Sequence, residues 1–258
     1  MSNKSISKTF IPQVDGRGLD FIKASAALFM VIDHINFVLL ASAKPEMFMI
    51  GRITFPLFCY ALAVALFKAG DDKGTDYALR RYAPRLFVFA VLTEPISRLC
   101  RDIGDSFNVM FTLALGAAIA GVSLRMKDWQ VALLCVAAAG LMYFPGWFEF
   151  SIAGALLPTA FLMALRGRRL AIPCLLLILA TINAGDYGGL LGKLTPQVVI
   201  FMTVTALFCI VPAFFLIRYA AGMPQTGRYL PKYFLHIFYP AHMIALWAIG
   251  RYILHLPA

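Results

Sequence analysis

Long apolar stretches, separated by short polar or Gly/Pro-containing joints, fill almost the whole chain. Nine of them, at about 18–42, 47–69, 83–99, 107–124, 129–145, 148–165, 169–185, 197–219 and 232–254, are long enough or nearly so to cross a bilayer. The pattern predicts an all-α fold, a polytopic transmembrane helical bundle of about nine spans. The stretches 129–145 and 148–165 share one break at Pro145-Gly146, so they either cross separately or form a re-entrant hairpin. Residues 1–16 read as a loose polar tail and 17–258 as a single transmembrane domain, because the loops are short. The two halves of the chain do not echo each other, which weighs against the repeat-built transporter architectures.

The first apolar stretch breaks its own pattern. Asp33-His34 sits where only oily side chains belong, and Asp20, Lys23, Ala27, Met30 and His34 share one helical arc of roughly 80°. A rise of about 1.5 Å per residue puts His34 ~20 Å along the axis from Asp20. One face therefore carries charge near one membrane surface, small residues between, and an imidazole deep inside. Ionisable groups in a span are costly, face the bundle interior and mark function.

Composition agrees with the pattern. The chain is 61% hydrophobic and 14% charged, with mean hydropathy +0.79, the profile of an integral membrane protein. The net charge of +10 would suit nucleic acid, but its placement argues against that partner. On the nine-span reading, one side carries seventeen Lys and Arg (the group running from Lys4 through Lys68, Arg80 and Arg125 to Lys232). The other carries six: Lys44, Arg52, Arg98, Arg101, Lys193 and Arg251. That positive-inside asymmetry puts the N-terminus in the cytoplasm and the C-terminus outside. Lys4, Lys8 and the Ala41-Ser42-Ala43 run imitate a signal peptide, but Asp33, His34 and Asn36 interrupt the apolar region, so it stays a helix. The five cysteines are dispersed, without a C-x-x-C, and indicate neither zinc nor disulfides.

Three further segments carry polar groups at or near membrane depth. Gly51-Arg52 opens the second span, where Arg52 either snorkels to the interface or pairs with Asp33. In the last span Tyr239 and His242 lie three apart on one face around Pro240, while His236 reads as structural. Asn108 and Thr112, one turn apart, are placed to line the same cavity from the external end. On the cytoplasmic side Arg80, Arg81 and Arg85, with Lys23 at the helix base, suit phosphate groups. A histidine in a water-accessible cavity can take a proton from an attacking amine or hydroxyl. No His-x-x-x-His spacing supports a metal site.

The run Leu19-Asp20-Phe21-Ile22-Lys23 through Asp33-His34, then Gly51-Arg52 with Phe55-Pro56-Leu57-Phe58, then Asn108-Val109-Met110-Phe111-Thr112-Leu113 and Phe238-Tyr239-Pro240-Ala241-His242, resembles the TraX family over about residues 17–253. The resemblance implies acetylation of the N-terminal amine of a conjugative pilin, with acetyl-CoA as donor. The first helix is also similar to that of membrane acyltransferases of the acyltransferase-3 type, which modify cell-surface sugars; Lys23 takes the Arg place, Phe21 a Gly place and His34 the His place. The implied enzyme is an acetyl-CoA-dependent acyltransferase of the bacterial inner membrane. Lys23, Arg80, Arg81 and Arg85, with Asp20 beside them, would hold the donor. His34 would act as general base, aided by Asp33, Arg52 or His242, while Asn108, Thr112 and Tyr239 would face the acceptor, a pilin-like peptide or surface polymer. A small proton-coupled transporter and a non-catalytic pilus or secretion assembly partner are the alternatives.

The charge asymmetry makes a direct prediction. A cysteine placed at position 5 should react only with a reagent delivered from the cytoplasmic side, and one at 257 only from outside. External labelling at position 5 would overturn both the orientation and the side from which a cytosolic donor enters.

Overall fold

The computed structural model describes residues 9–100, 106–140, 148–182 and 195–255. The fold is all-helical, and among the described residues extended backbone pairs only at one bridge, Phe107 with Phe148. Helix α1 (Gly16–His34) begins where Asp15 accepts a hydrogen bond from the Gly16 amide at 2.6 Å. Partial desolvation opposes ionisation of Asp15, but Lys68 and the Gly16 amide together hold its carboxyl below the usual carboxylate range. Beyond His34 the helix widens into a π-helical turn, Ile35–Leu39, a distortion that often accompanies function. Helices α2 (Pro45–Gly51) and α3 (Thr54–Ala69) follow, with Pro45 and Pro56 in first turns where a missing amide is harmless. Next come α4 (Asp71–Tyr77), a π-helical turn at Ala78–Tyr82, α5 (Ala83–Cys100) and α6 (Val109–Ser123). The series ends with α7 (Asp128–Gly140), α8 (Ser151–Leu165), α9 (Ala171–Thr181), α10 (Pro196–Ala221) and α11 (Phe234–Ala248), the last prolonged by a π-helical turn at Ile249–Ile253.

Helix α8 is the hub. Every residue from Ser151 to Leu165 except Ile152 is buried, as expected for a helix apolar on all sides. It packs against α3, α6 and α9. The α6 crossing is close because Gly116 lacks a side chain: a Cβ there would stand 2.8 Å from the Ala155 carbonyl oxygen and 3.0 Å from Pro158. Small residues at crossings are what bundles in lipid need, where burial of oil against oil drives nothing. At the periphery Leu92, Leu133, Phe215 and Ile237 stand exposed. Such a surface is a liability in water and ordinary in a bilayer. The chain is a helical membrane protein.

The nine-span expectation is met only in part. Among the described residues three continuous helices have the length and hydropathy to cross: Gly16–Leu39, Pro45–Ala69 and Thr203–Ala221. Helices α6 and α8 have 15 residues each, about 22 Å at the α-helical rise, short of a hydrocarbon core of roughly 30 Å. Hydropathy cannot separate a buried hub such as α8 from a lipid-facing span. The Pro145-Gly146 break and the end of the 169–185 stretch lie outside the described residues. A second difference concerns the tail. Ile11 and Val14 are buried; Phe10 N donates to Ala164 O (3.2 Å), and the Tyr60 hydroxyl donates to Pro12 O (2.7 Å) while accepting from Val14 N (3.1 Å). Residues 10–15 are therefore tied to the bundle, with Ile11 and Val14 in its core, rather than forming a loose extension.

The α6–α8 crossing predicts that Gly116→Val destabilises the protein by about 1–3 kcal/mol, the usual cost of overpacking, because the Ala155 backbone cannot retreat. A lower melting temperature in detergent checks this; an unchanged one would mean that the helices can separate freely.

Candidate functional site

Helices α1 and α11 meet at two buried histidines. His34 Nδ1 lies 2.6 Å from His242 Nε2, with the ring planes within 3° of parallel. His242 Nδ1 lies 2.9 Å from the Phe238 carbonyl oxygen, which can only accept. That nitrogen therefore carries a proton, and in a neutral imidazole Nε2 is then the acceptor. His34 must donate to it through Nδ1–H, which leaves the basic lone pair of His34 on Nε2. One histidine thus fixes the tautomer of the other, as in nucleophile-base-orienter chains. Tyr239 closes the cluster, its ring centroid 6.2 Å from His34 and 5.7 Å from His242.

Asp33, one residue earlier and 100° around the helix, serves a different partner. Its Oδ2 is 3.4 Å from Arg52 Nη2, and the guanidinium lies over the rings of Phe48 (4.2 Å) and Phe150 (5.0 Å). Gly51 makes room for this pair, since a Cβ there would run into the Asp33 carboxyl group. Phe150 and Ser151 both adopt left-handed backbone, with φ of +66° and +58°, a strained corner for residues with side chains. It is held by stacking of Phe150 on Phe55 (4.1 Å) and by the Thr112 hydroxyl donating to Glu149 O (2.6 Å). Of the four residues expected around the base, the structure therefore joins His34 to His242 and Asp33 to Arg52, as two separate pairs.

At the opposite end of α1 a cavity of about 780 Å³ opens, within the size range of small-molecule and cofactor sites. Lys23, Arg80, Arg81 and Arg85 all line it, as expected. They are joined by Lys68, Lys73, Arg228 and Lys232, which sequence reading counts only as topogenic charges. Three carboxylates pair with this set: Asp15 with Lys68, Asp76 with Arg80, and Asp20 with Arg228 and Lys23. Cations remain in excess, so the cavity favours an anion. Asp20 is not on the cavity wall. Its fully buried carboxylate accepts from Arg228 Nη2 (3.0 Å) and from the amides of Tyr229 (2.9 Å) and Leu230 (3.0 Å), clasping the segment that leads into α11.

Between the cationic cavity and the paired histidines lies a narrower pocket of about 70 Å³, lined by Met30, Phe58, Leu113, Tyr239 and His236 among others. Tyr239, expected near the chemistry, is there. Asn108 and Thr112 line neither space. Asn108 caps α6 by accepting from Met110 N (2.9 Å), and donates to Glu94 Oε2 (2.8 Å) and Ala90 O (3.0 Å); the face of α6 that lines the pocket carries Val109, Met110 and Leu113 instead. His236, which reads from sequence as structural, lines both spaces. Among the described residues no three His, Cys, Asp or Glu side chains converge as a metal site would require.

The family described as TraX protein matches residues 18–250, a range that contains both histidines, the Asp33–Arg52 pair and every cation of the cavity. The chain belongs to the TraX family. Protein TraX of Escherichia coli is 26% identical over 241 residues, covering 90% of this chain and 86% of that relative. No solved structure matches the chain. In this TraX family member the paired histidines are contributed by the first and last helices of the matched region, which the Asp20 clasp brings together.

The clasp yields a prediction. Asp20→Ala leaves the Tyr229 and Leu230 amides and the Arg228 guanidinium, all only partly buried, without this acceptor, at a cost per group below the about 1–3 kcal/mol of a fully buried orphan. Tryptic cleavage after Arg228 should accelerate and the melting temperature should fall. Unchanged cleavage would show that the 228–230 segment is held by something other than Asp20.

Proposed function

We propose that the protein is a membrane acetyltransferase that moves an acetyl group from cytosolic acetyl-CoA to an amine or hydroxyl at the membrane or its outer face. The observation that carries this reading is the His34–His242 pair, whose hydrogen bonding presents an unprotonated His34 Nε2. Acetyl-CoA supplies an activated thioester on a phosphorylated nucleotide handle. The handle matches the cation-rich cavity, where Arg80, Arg81, Arg85 and Lys23 would bind its phosphates; guanidinium groups suit such contacts in bidentate fashion. The acceptor heteroatom attacks the thioester carbonyl while His34 Nε2 takes its proton; the C–S bond breaks and the proton leaves with the thiol. His242 holds the ring orientation and stabilises the imidazolium by accepting from Nδ1–H.

Other features support the same reading. The Asp20-to-His34 separation of fourteen residues spans about 21 Å, which separates phosphate binding from the chemistry along one helix. The Asp33–Arg52 pair stands beside the histidines toward the other end of the bundle, where an acceptor would approach. Membership of the TraX family agrees with an acceptor such as a pilin N-terminus, and the resemblance of the first helix to sugar-modifying acyltransferases extends the class to a surface polymer. A bacterial inner-membrane location with a cytoplasmic N-terminus puts the cavity on the side where acetyl-CoA is made.

Two measurements on the protein purified in detergent test this. Acetyl-CoA should raise the melting temperature, because a ligand bound only by the folded state stabilises it by mass action, and reversing Arg80, Arg81 and Arg85 to Glu should abolish the shift. His34→Ala should lower acyl transfer about 10²–10⁴-fold and leave the thermal shift intact, while His255→Ala changes neither. Full transfer by well-folded His34→Ala protein would overturn the mechanism; absence of any shift at millimolar acetyl-CoA would favour a proton-coupled transporter or a non-catalytic assembly partner.

A further inference from the structure

Tyr82, Leu235 and His236 line both the cationic cavity and the narrow apolar pocket, so they mark the junction between the two. His236 is 9% exposed, and among the described residues neither of its ring nitrogens has a hydrogen-bond partner. The ring is nevertheless fixed. Phe89 packs at 4.8 Å between centroids and Tyr233 meets it edge-on at 6.0 Å. The contrast with His34 and His242, which satisfy each other, is direct. A buried imidazole held rigidly with both nitrogens unspent is shaped for a ligand group that brings its own donor and acceptor.

The chemistry of that group follows from the two spaces it would bridge. A phosphate offers only acceptors and is better served by the lysines and arginines of the outer cavity. What passes beyond them into the apolar pocket must be neutral and slender, yet must still compensate one donor and one acceptor at the junction. An amide-bearing aliphatic arm meets these conditions. We propose that His236 is a positioning residue for the pantetheine arm of the acyl donor, donating to an arm carbonyl through one ring nitrogen and accepting from an amide N–H through the other. This rests on the acetyl-CoA reading above and adds to it the residue that registers the arm, so that the thioester is delivered toward Tyr239 and His34 rather than left in the wide cavity. His236 makes no contact with the reacting atoms in this scheme.

Calorimetric titration of the full chain in detergent separates the arm from the handle, using CoA and 3′-phosphoadenosine 5′-diphosphate, the same nucleotide end without the arm. Wild-type protein should bind CoA more tightly than this arm-free nucleotide. His236→Ala should weaken CoA about tenfold, the loss of one to two net hydrogen bonds, and leave the affinity for the arm-free nucleotide unchanged, which also certifies that the variant is folded. His236→Gln, with a donor and an acceptor of its own, should recover part of the CoA affinity. His236→Ala binding CoA as wild type does would overturn the proposal, as would an equal loss for both ligands, which marks a structural role. Wild-type binding of CoA no tighter than the arm-free nucleotide would overturn it while leaving the phosphate clamp standing. Binding of neither ligand would overturn the acetyl-CoA reading and the inference with it.

Discussion

A buried carboxylate with no water must find its hydrogen bonds inside the protein, and Asp20 finds them 208 to 210 residues away, on Arg228, Tyr229 and Leu230. That single clasp fixes where the chain enters α11. With the entry fixed, the α-helical rise carries His242 up α11 as it carries His34 up α1, and the two imidazoles come within 2.6 Å of each other. The polar stripe on α1 is thus two rungs, one at each end, and both rungs grip the same partner segment. The cationic cavity lies at the lower rung because the clasp draws Arg228 and Lys232 against Lys23 and the arginines around Tyr82. Charge at one end and a paired imidazole at the other are consequences of one helix pairing.

The direction of the hydrogen bond between the two imidazoles is equally a matter of constraint. A pair of neutral imidazoles has two possible directions of hydrogen bonding, and nothing in either ring chooses between them. The choice is made by the Phe238 carbonyl, one turn below His242 on the same helix, because a carbonyl cannot donate. Pro240, between them, has no N–H and so withdraws the donor that the His236 carbonyl would otherwise receive in a regular helix. The backbone at Phe238 therefore sets which way the bond between His34 and His242 runs.

The stripe on α1 is legible in the sequence because a period of 3.6 residues identifies a face without reference to any partner. The Asp33–Arg52 pair is one of two readings that the residues leave open, since the helices concerned are consecutive and Arg52 falls at the level of Asp33. His242 is harder: it can be placed on a face with Tyr239, but its contact with His34 spans almost the whole chain, and no periodicity encodes which helix a face will meet. His236 gives no signal at all, because a buried imidazole looks the same in sequence whether its nitrogens are satisfied or not. Asn108 and Thr112 are misplaced by sequence reading for a related reason. A polar residue at a helix start is as often a cap as a ligand, and here Asn108 is the cap while Thr112 fastens the strained corner at Phe150. Counting spans by hydropathy is ambiguous because a helix such as α8, buried on all sides, is as oily as one that faces lipid.

The corner at Phe150 and Ser151 shows what the second polar pair contributes. Two consecutive side-chain-bearing residues in left-handed backbone persist only where their surroundings over-determine them, and the surroundings here are Phe55, Thr112 and the Arg52 guanidinium. Arg52 thus ties α1 through Asp33 to the start of the α8 hub through Phe150. On the proposed reading this matters for the chemistry, since a base whose lone pair direction is fixed by His242 is useful only if the helix bearing it cannot rotate. The clasp at Asp20 secures one end of α1 against the last helix; the Asp33–Arg52–Phe150 bridge secures the other end against the hub. His34 is held by two anchors that pull on opposite faces, which is how a single imidazole in a membrane bundle keeps one orientation.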